Sequence, residues 1–242
     1  MRQENWYDVD SFQGSDFSLS TAFPVLMRKV FAWMTLALVI TGITAFGVAT
    51  TPALMQLIFS SRLTFFGLIG LELVLVLAVS SAVSSDRISL TMATLLFVLY
   101  SVVNGTTLAS IFFAFELSSI ATVFFVTAAT FGIMSLVGYT TKTDLTSFGK
   151  LFFMALIGII IATIVNIFLG NAMLDMIICY AGVLVFVGLT AYDVQKIKEM
   201  CQSAPDTGET MQKLALFGAL TLYLDFINLF LYLLKILGNR RN

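Results

Sequence analysis

The sequence contains no histidine, and this absence excludes several kinds of site. A zinc protease of the HExxH type, a Ser-His-Asp hydrolase and a histidine-based pH switch all require that residue. Proton chemistry must therefore use carboxylates, lysine, cysteine or tyrosine. Cysteine is nearly as scarce: Cys179 lies in an apolar run and Cys201 in a polar loop, and neither has metal-ligand spacing. We interpret both as reduced and structural, and we expect no tightly bound cofactor.

Charged residues are also rare. They make up 11% of the 242 residues, whereas a soluble domain is about a quarter charged. The hydrophobic share is 59%, which is more than one globular core can hide, so the expected solvent is lipid. The net charge of −1 provides no general attraction to nucleic acid, and we expect no nucleic-acid partner.

Seven apolar runs predict the fold. Each is near the roughly 20 residues that a helix needs to cross the hydrocarbon, and none shows the alternation of a β-strand. We predict an all-α integral membrane protein with seven transmembrane helices at residues 25–242, preceded by a polar N-terminal tail at residues 1–24. The sixth run is short, so its helix should extend to include Asp193. The runs are Val30–Ala49, Phe65–Val83, Ile88–Phe112, Ile120–Val137, Leu151–Leu169, Met176–Ala191 and Leu214–Leu234.

Lysine and arginine predict the orientation. If the N-terminus is cytoplasmic, the inner segments hold Arg2, Arg28, Lys29, Arg87, Lys142, Lys150, Lys196, Lys198 and Lys213, and the outer ones hold Arg62, Lys235, Arg240 and Arg241. This excess favours a cytoplasmic N-terminus and an outer C-terminus. A re-entrant last helix would instead return the C-terminus to the inner side. The expected location is the inner membrane if the protein is bacterial and an intracellular membrane otherwise.

The seventh run carries a polar stripe. Spacings of three and four residues put six of its residues on one helical face. One interpretation is a helix packed inside the bundle, with Asp225 protonated and hydrogen-bonded. The other is a stripe that lines a path for protons or cations. The six residues are Gly218, Thr221, Asp225, Asn228, Tyr232 and Lys235.

Two further acidic residues lie in or near the apolar runs. Asp193 ends the sixth run and is either functional or simply solvated and paired with a nearby lysine. Glu72 lies in the second run, where a buried protonated glutamate and a pathway residue are equally good interpretations. We include Glu72 with Thr221, Asn228 and Tyr232 as candidate pore residues.

Two stretches resemble the Bax inhibitor family, the transmembrane BAX inhibitor motif proteins. They are GLTAYDVQKIK (Gly188 to Lys198) and ALTLYLDFINLFLYLLKILG (Ala219 to Gly238), and the similarity runs from about Arg28 to Gly238. FGIMSLVGYTTKTDL and NGTTLASIF support it. The resemblance implies that the C-terminal helix is central in the bundle, wrapped by the other six. It also implies that Asp193 and Asp225 form a hydrogen-bonded carboxylate pair near the cytoplasmic side.

The same resemblance implies a function. Family members are associated with pH-sensitive calcium leak and with restraint of cell death or stress responses. We therefore expect a calcium-leak channel with Asp193 and Asp225 as its pH sensor and as transient Ca²⁺ ligands. The alternative is a non-conducting regulator that binds a membrane protease or a cell-death or stress-response partner. Some relatives carry an arginine near the inner end of the second helix; here the nearest is Arg87, about one turn later, which makes it the candidate latch.

The electrostatics of two neighbouring carboxyl groups are consistent with a pH sensor formed by Asp193 and Asp225. Two neighbouring carboxylates in a low dielectric cannot both stay charged at low cost, so they share a proton and titrate as a unit. Along their helices, Asp193 lies about 8 Å from Lys198 and Asp225 about 18 Å from Lys213. They meet only if the last helix begins below the bilayer surface or tilts.

We do not expect the protein to be an enzyme. LYLDF is not the GxGD motif of intramembrane aspartyl proteases, and no PAL motif follows.

Overall fold

The computed structural model describes residues 7–84, 88–203 and 208–241. Within these ranges the chain forms nine α-helices and one isolated bridge between Phe115 and Arg240. α1 begins inside the segment predicted to be a polar tail. The helices are α1 (Tyr7–Ala49), α2 (Pro52–Phe59), α3 (Arg62–Ser84), α4 (Leu90–Leu108), α5 (Ile111–Ala114), α6 (Leu117–Thr140), α7 (Thr146–Leu169), α8 (Ala172–Ser203) and α9 (Gly208–Leu237).

Seven spans in the described part of the chain are long and apolar enough to cross a membrane. Each coincides with one of the seven apolar runs, so the predicted all-α fold with seven transmembrane helices is confirmed. The extension of the sixth run is also confirmed, because α8 continues through Asp193. Cys201 likewise lies in α8 and is buried, not in a loop as predicted. The spans are Phe23–Ala49, Arg62–Ala82, Leu90–Ala114, Leu117–Thr140, Thr146–Leu169, Ala172–Gln202 and Gly208–Leu237.

The last helix is central, as predicted. In the most apolar part of α9, 67% of the residues are buried, against 6% in α7. α9 packs against α1, α3, α4, α6 and α8. This position suits a helix that carries polar groups, because neighbouring helices rather than lipid surround them.

α7 is the exception to the expected arrangement of six helices around one. It packs along α8 and turns most of its side chains, including Phe153 and Phe168, toward lipid. A cavity lies between α7 and α9. The physical reason is composition: the α7 span has the highest mean hydropathy of the seven, so lipid contact costs it little.

The start of α1 and the end of α9 lie on opposite faces of the bundle. α9 is one unbroken helix. The last helix is therefore a continuous span and not a re-entrant one. Beyond it, the Glu116 amide donates to the Asn239 carbonyl at 3.1 Å and the Arg241 amide to the Ala114 carbonyl at 3.0 Å. We call the face with this contact the C-terminal face. The N-terminal face is the opposite one, which holds the start of α1 and the α6–α7 loop.

Candidate functional site

The structure brings the two predicted aspartates together. Asp193 on α8 and Asp225 on α9 are 8% and 4% exposed. Their carboxyl groups interact directly across the contact between the two helices. If both were ionised, the two charges would repel each other strongly in a low dielectric. The geometry therefore places two buried acidic groups side by side on two helices.

The length of α9 explains how Asp225 can lie at the same depth in the bundle as Asp193. α9 begins at Gly208, so about 26 Å of helix precede Asp225, whereas about 15 Å of α8 follow Asp193. The first turns of α9 thus precede Leu214, where the seventh apolar run begins, and extend the helix toward the N-terminal face. Lys213 in these turns is 8% exposed and forms an ion pair with Glu209 at 3.4 Å.

One oxygen of the pair lacks a protein partner. The Oδ2 atom of Asp225 is buried and accepts no hydrogen bond from the described residues. Leaving such a group unsatisfied costs about 1–3 kcal/mol, more when it is charged. This atom is therefore a favourable position for a proton, a water molecule or a cation.

Both aspartates line a cavity of about 660 Å³ between α7, α8 and α9. The predicted stripe residues Thr221, Asn228 and Tyr232 line it as well. Thr221 and Asn228 also bond back to carbonyls of their own helix, at 3.1 and 2.8 Å, which satisfies part of their polar capacity. The stripe therefore faces a space large enough for water and ions, with Asp225 at its centre.

The two ends of the polar stripe, Gly218 and Lys235, do not line the cavity. Gly218 faces Ile197 and Val30 in the packed core. Lys235 lies near the C-terminal face, where its ammonium group donates to Asp175 at 2.9 Å. The continuous helical face predicted from spacing thus divides into a packed end, a cavity-lining centre and an ion pair.

Glu72 belongs to a second polar cluster, on another side of α9. Its carboxyl group lies beside the Asn104 and Thr107 side chains of α4, and its Oε1 atom has no hydrogen-bond partner among the described residues. The Asn104 side chain accepts a hydrogen bond from the Tyr223 hydroxyl at 2.9 Å. The Tyr223 hydroxyl also lies 2.7 Å from the Thr41 hydroxyl. Glu72 is therefore separate from the stripe with which the sequence grouped it.

Gln195 is a structural partner of the site that sequence reasoning missed. Its side chain accepts a hydrogen bond from the Leu145 amide at 2.8 Å and donates one to the Thr143 carbonyl at 2.9 Å. These bonds fix the α6–α7 loop to α8, two residues from Asp193. The position within TAYDVQKIK was a signal, but the partners lie about fifty residues away in the chain.

The candidate latch, Arg87, lies outside the described residues.

Asp193 and Asp225 supply too few oxygen atoms to form a complete calcium site by themselves. Two carboxyl groups supply at most four oxygens, whereas Ca²⁺ takes six to eight. In the described ranges, no group of three or more potential acidic, cysteine or histidine ligands comes together. The pair alone is thus an incomplete calcium cage.

The chain is similar to known membrane proteins. A family model described as "Inhibitor of apoptosis-promoting Bax1" matches residues 24–242. The inner membrane protein YbhL of Escherichia coli K12 is 47% identical, over 96% of this chain and 100% of its own length. A protein of Borreliella burgdorferi is 45% identical over 89% and 92%. An uncharacterized membrane protein of Streptococcus pyogenes serotype M1 is 38% identical over 76% and 79%.

The family match covers nearly the whole chain and includes both aspartates and the cavity that they line. YbhL extends the similarity across its full length. The chain is therefore a multi-pass membrane protein that belongs to the Bax inhibitor-1 family.

Proposed function

We propose that this protein is a pH-sensitive calcium-leak channel whose gate is the pair formed by Asp193 and Asp225. The observation that carries the proposal is the close approach of two buried carboxyl groups, Asp193 on α8 and Asp225 on the central helix α9. The pair also borders a polar-lined cavity. Membership of the Bax inhibitor-1 family supports the proposal, since the resemblance to that family implies an association with pH-sensitive calcium leak.

The shared proton holds α8 and α9 together in this proposal. When the proton leaves, two adjacent negative charges remain in a low dielectric, where their repulsion is much stronger than in water. The helices then separate at this level. We therefore expect the leak to increase as pH rises through the titration of the pair and to decrease in acid.

Calcium would pass the pair without being stored there. The carboxyl oxygens, the Thr221 and Tyr232 hydroxyls and the Asn228 amide offer weak, sequential contacts along one side of α9. Conduction requires binding that is weak enough for release, and an incomplete cage meets this condition. The permeating ion and the transient ligand role of both aspartates are part of the proposal.

The test is calcium flux into liposomes that contain only this protein and an internal calcium indicator. The proposal predicts a flux that increases from acid to alkaline pH and loses this dependence in Asp225→Asn. The matched control is Glu116→Gln, an exposed acid on the C-terminal face that should keep the pH dependence. Absence of flux at every pH from folded protein would contradict the channel and favour the non-conducting regulator of a protease or stress-response partner.

A further inference from the structure

The cavity beside α7 has a side that faces lipid. Phe153 and Ile160 of α7 line it, yet their side chains are 61% and 49% exposed. Among the described helices, α8 is the one with which α7 makes extensive contact. A space bordered by exposed side chains of a transmembrane helix opens laterally to the bilayer, not only to water.

The walls of this groove are mostly apolar. Aliphatic and aromatic side chains from three helices form most of their surface, and α9 contributes the polar groups of Thr221, Asp225 and Asn228. At about 660 Å³, the space is within the roughly 300–1,000 Å³ typical of sites for small molecules. The apolar lining residues are Phe153, Leu156, Ile160, Phe186, Leu189 and Leu224.

Two lysines stand at the mouth of the groove on the N-terminal face. Lys150 and Lys196 both line the cavity and both are exposed. Tyr192 brings them to the same level: its ring packs against Gly149, and the Lys196 ammonium lies 5.9 Å from its centre. Within the described ranges, neither lysine forms a salt bridge. The mouth therefore offers two positive charges outside any salt bridge, and Lys196 interacts with Asp193 of the same cavity only over a longer distance.

We infer that this groove binds one anionic phospholipid of the leaflet at the N-terminal face, with its phosphate between Lys150 and Lys196 and one acyl chain along α7. Charge complementarity selects the headgroup, because lysines near a membrane surface attract anionic lipids. The apolar walls and the lateral opening select an acyl chain.

The length of the groove agrees with one leaflet. Lys150 and Ile160 are separated by about 15 Å along α7. This distance is half of the roughly 30 Å hydrocarbon core of a bilayer. Lysine side chains extend toward the headgroup level while their stems lie against apolar surface, which places the ammonium groups where a lipid phosphate resides.

The experiment uses photo-crosslinking of the full chain in phosphatidylcholine liposomes. The probe is a phosphatidylglycerol with a photoreactive group in one acyl chain, and crosslinked peptides are mapped by mass spectrometry. We expect crosslinks on α7 between residues 153 and 160 and on α8 between residues 186 and 189. A phosphatidylcholine probe with the same acyl chains should label these positions more weakly.

Matched variants separate a built site from ordinary lipid contact. Lys150→Gln with Lys196→Gln should reduce groove labelling by phosphatidylglycerol by at least fivefold, since each lysine contributes about a factor of five near an anionic lipid. Lys142→Gln, an exposed lysine of the same face outside the cavity, should leave it unchanged. Leu156→Trp fills the groove and should reduce labelling, whereas Ile161→Trp, exposed on the same helix and outside the cavity, should not.

Three outcomes would overturn the inference: equal labelling by both probes, labelling that is insensitive to the lysine pair, or crosslinks that avoid α7 and α8. The measurement requires no calcium flux. A channel that fails to conduct can therefore still bind this lipid, and a conducting channel can fail to bind it.

Discussion

At the scale of single residues, Tyr223 joins three helices through one hydroxyl group. It bonds to Asn104 of α4 and lies within hydrogen-bond distance of Thr41 of α1, while its ring is fully buried. Ring contacts with Phe97 and Tyr100 surround it. This side of α9 is thus as specifically packed as the side that carries Asp225.

Tyr223→Phe should destabilise the protein by about 1–3 kcal/mol, because the buried Asn104 oxygen loses its donor while the ring still fills its space. Thermal unfolding in detergent would measure the change. Tyr180→Phe is the matched control, since Tyr180 is 56% exposed and should have little effect. Equal effects of the two variants would show that the hydrogen bonds contribute nothing.

Asp144 gives a pH effect outside the membrane. Hydrogen bonds from the Thr146 side chain and backbone hold the pKa of Asp144 below its ordinary value. The ionised form therefore supports the first turn of α7 fully above the ordinary pKa, and this support is lost as pH falls through the lowered value. A carboxyl NMR titration should show a midpoint below that of a reference peptide, and Thr146→Ala should raise it. A midpoint unchanged by Thr146→Ala would contradict the assignment.

Single residues also show what the sequence could and could not predict. Asp193 and Asp225 were found because acids in apolar runs are conspicuous, and their pairing came from the family resemblance. Gln195 and Tyr223 were not found, since their partners lie far away in the chain and nothing local indicates them. Glu72 was found as well, but the structure places it beside α4 and not in the cavity that the other candidates line, because helical spacing does not indicate which neighbouring helix each face meets.

At the scale of elements, α8 is the helix that unites the site. It packs against α6, α7 and α9 and supplies Asp193, Tyr192 and Gln195. Close approach to α6 depends on Gly138, where a β-carbon would overlap the backbone of Ala191. The apolar runs predicted these helices well, because hydropathy responds to lipid contact. They did not predict the separation of α7 from α9, since high hydropathy allows a helix to contact lipid but does not specify which helices it packs against.

Gly138→Ala should push α6 away from α8 and destabilise the bundle by about 1–3 kcal/mol. Gly132→Ala is the matched control on the same helix, because a β-carbon there meets nothing within 4 Å. The control should be neutral or slightly stabilising, since alanine has a higher helix propensity than glycine. Unfolding temperatures of both variants in one detergent test this; a Gly138→Ala protein as stable as its control would refute the close-packing argument.

At the scale of the whole molecule, seven crossings put the start of α1 and the end of α9 on opposite faces. Basic residues are more numerous at the N-terminal face, where Arg28, Lys29, Lys142, Lys150, Lys196, Lys198 and Lys213 lie in the described ranges. This excess is the basis on which a cytoplasmic N-terminus is predicted.

Cysteine accessibility tests the orientation. Cys179→Ser with Cys201→Ser gives a background without thiols, to which Lys142→Cys is added on the N-terminal face. A membrane-impermeant thiol reagent should label this variant only after the cells are opened. Glu116→Cys, in the loop on the C-terminal face, is the matched control that should react in intact cells. The reverse pattern would invert the assignment of both faces.

The most direct test of the central claim is the pH profile of calcium flux in a double-mutant cycle of Asp193 and Asp225. If the two carboxyl groups share one proton, Asp193→Asn and Asp225→Asn should each remove most of the pH dependence, and the double variant should add little. The profile is compared rather than the absolute rate, because an amide keeps a hydrogen bond but cannot titrate. Two single effects that are independent and additive would contradict the account, since each carboxyl group would then titrate alone.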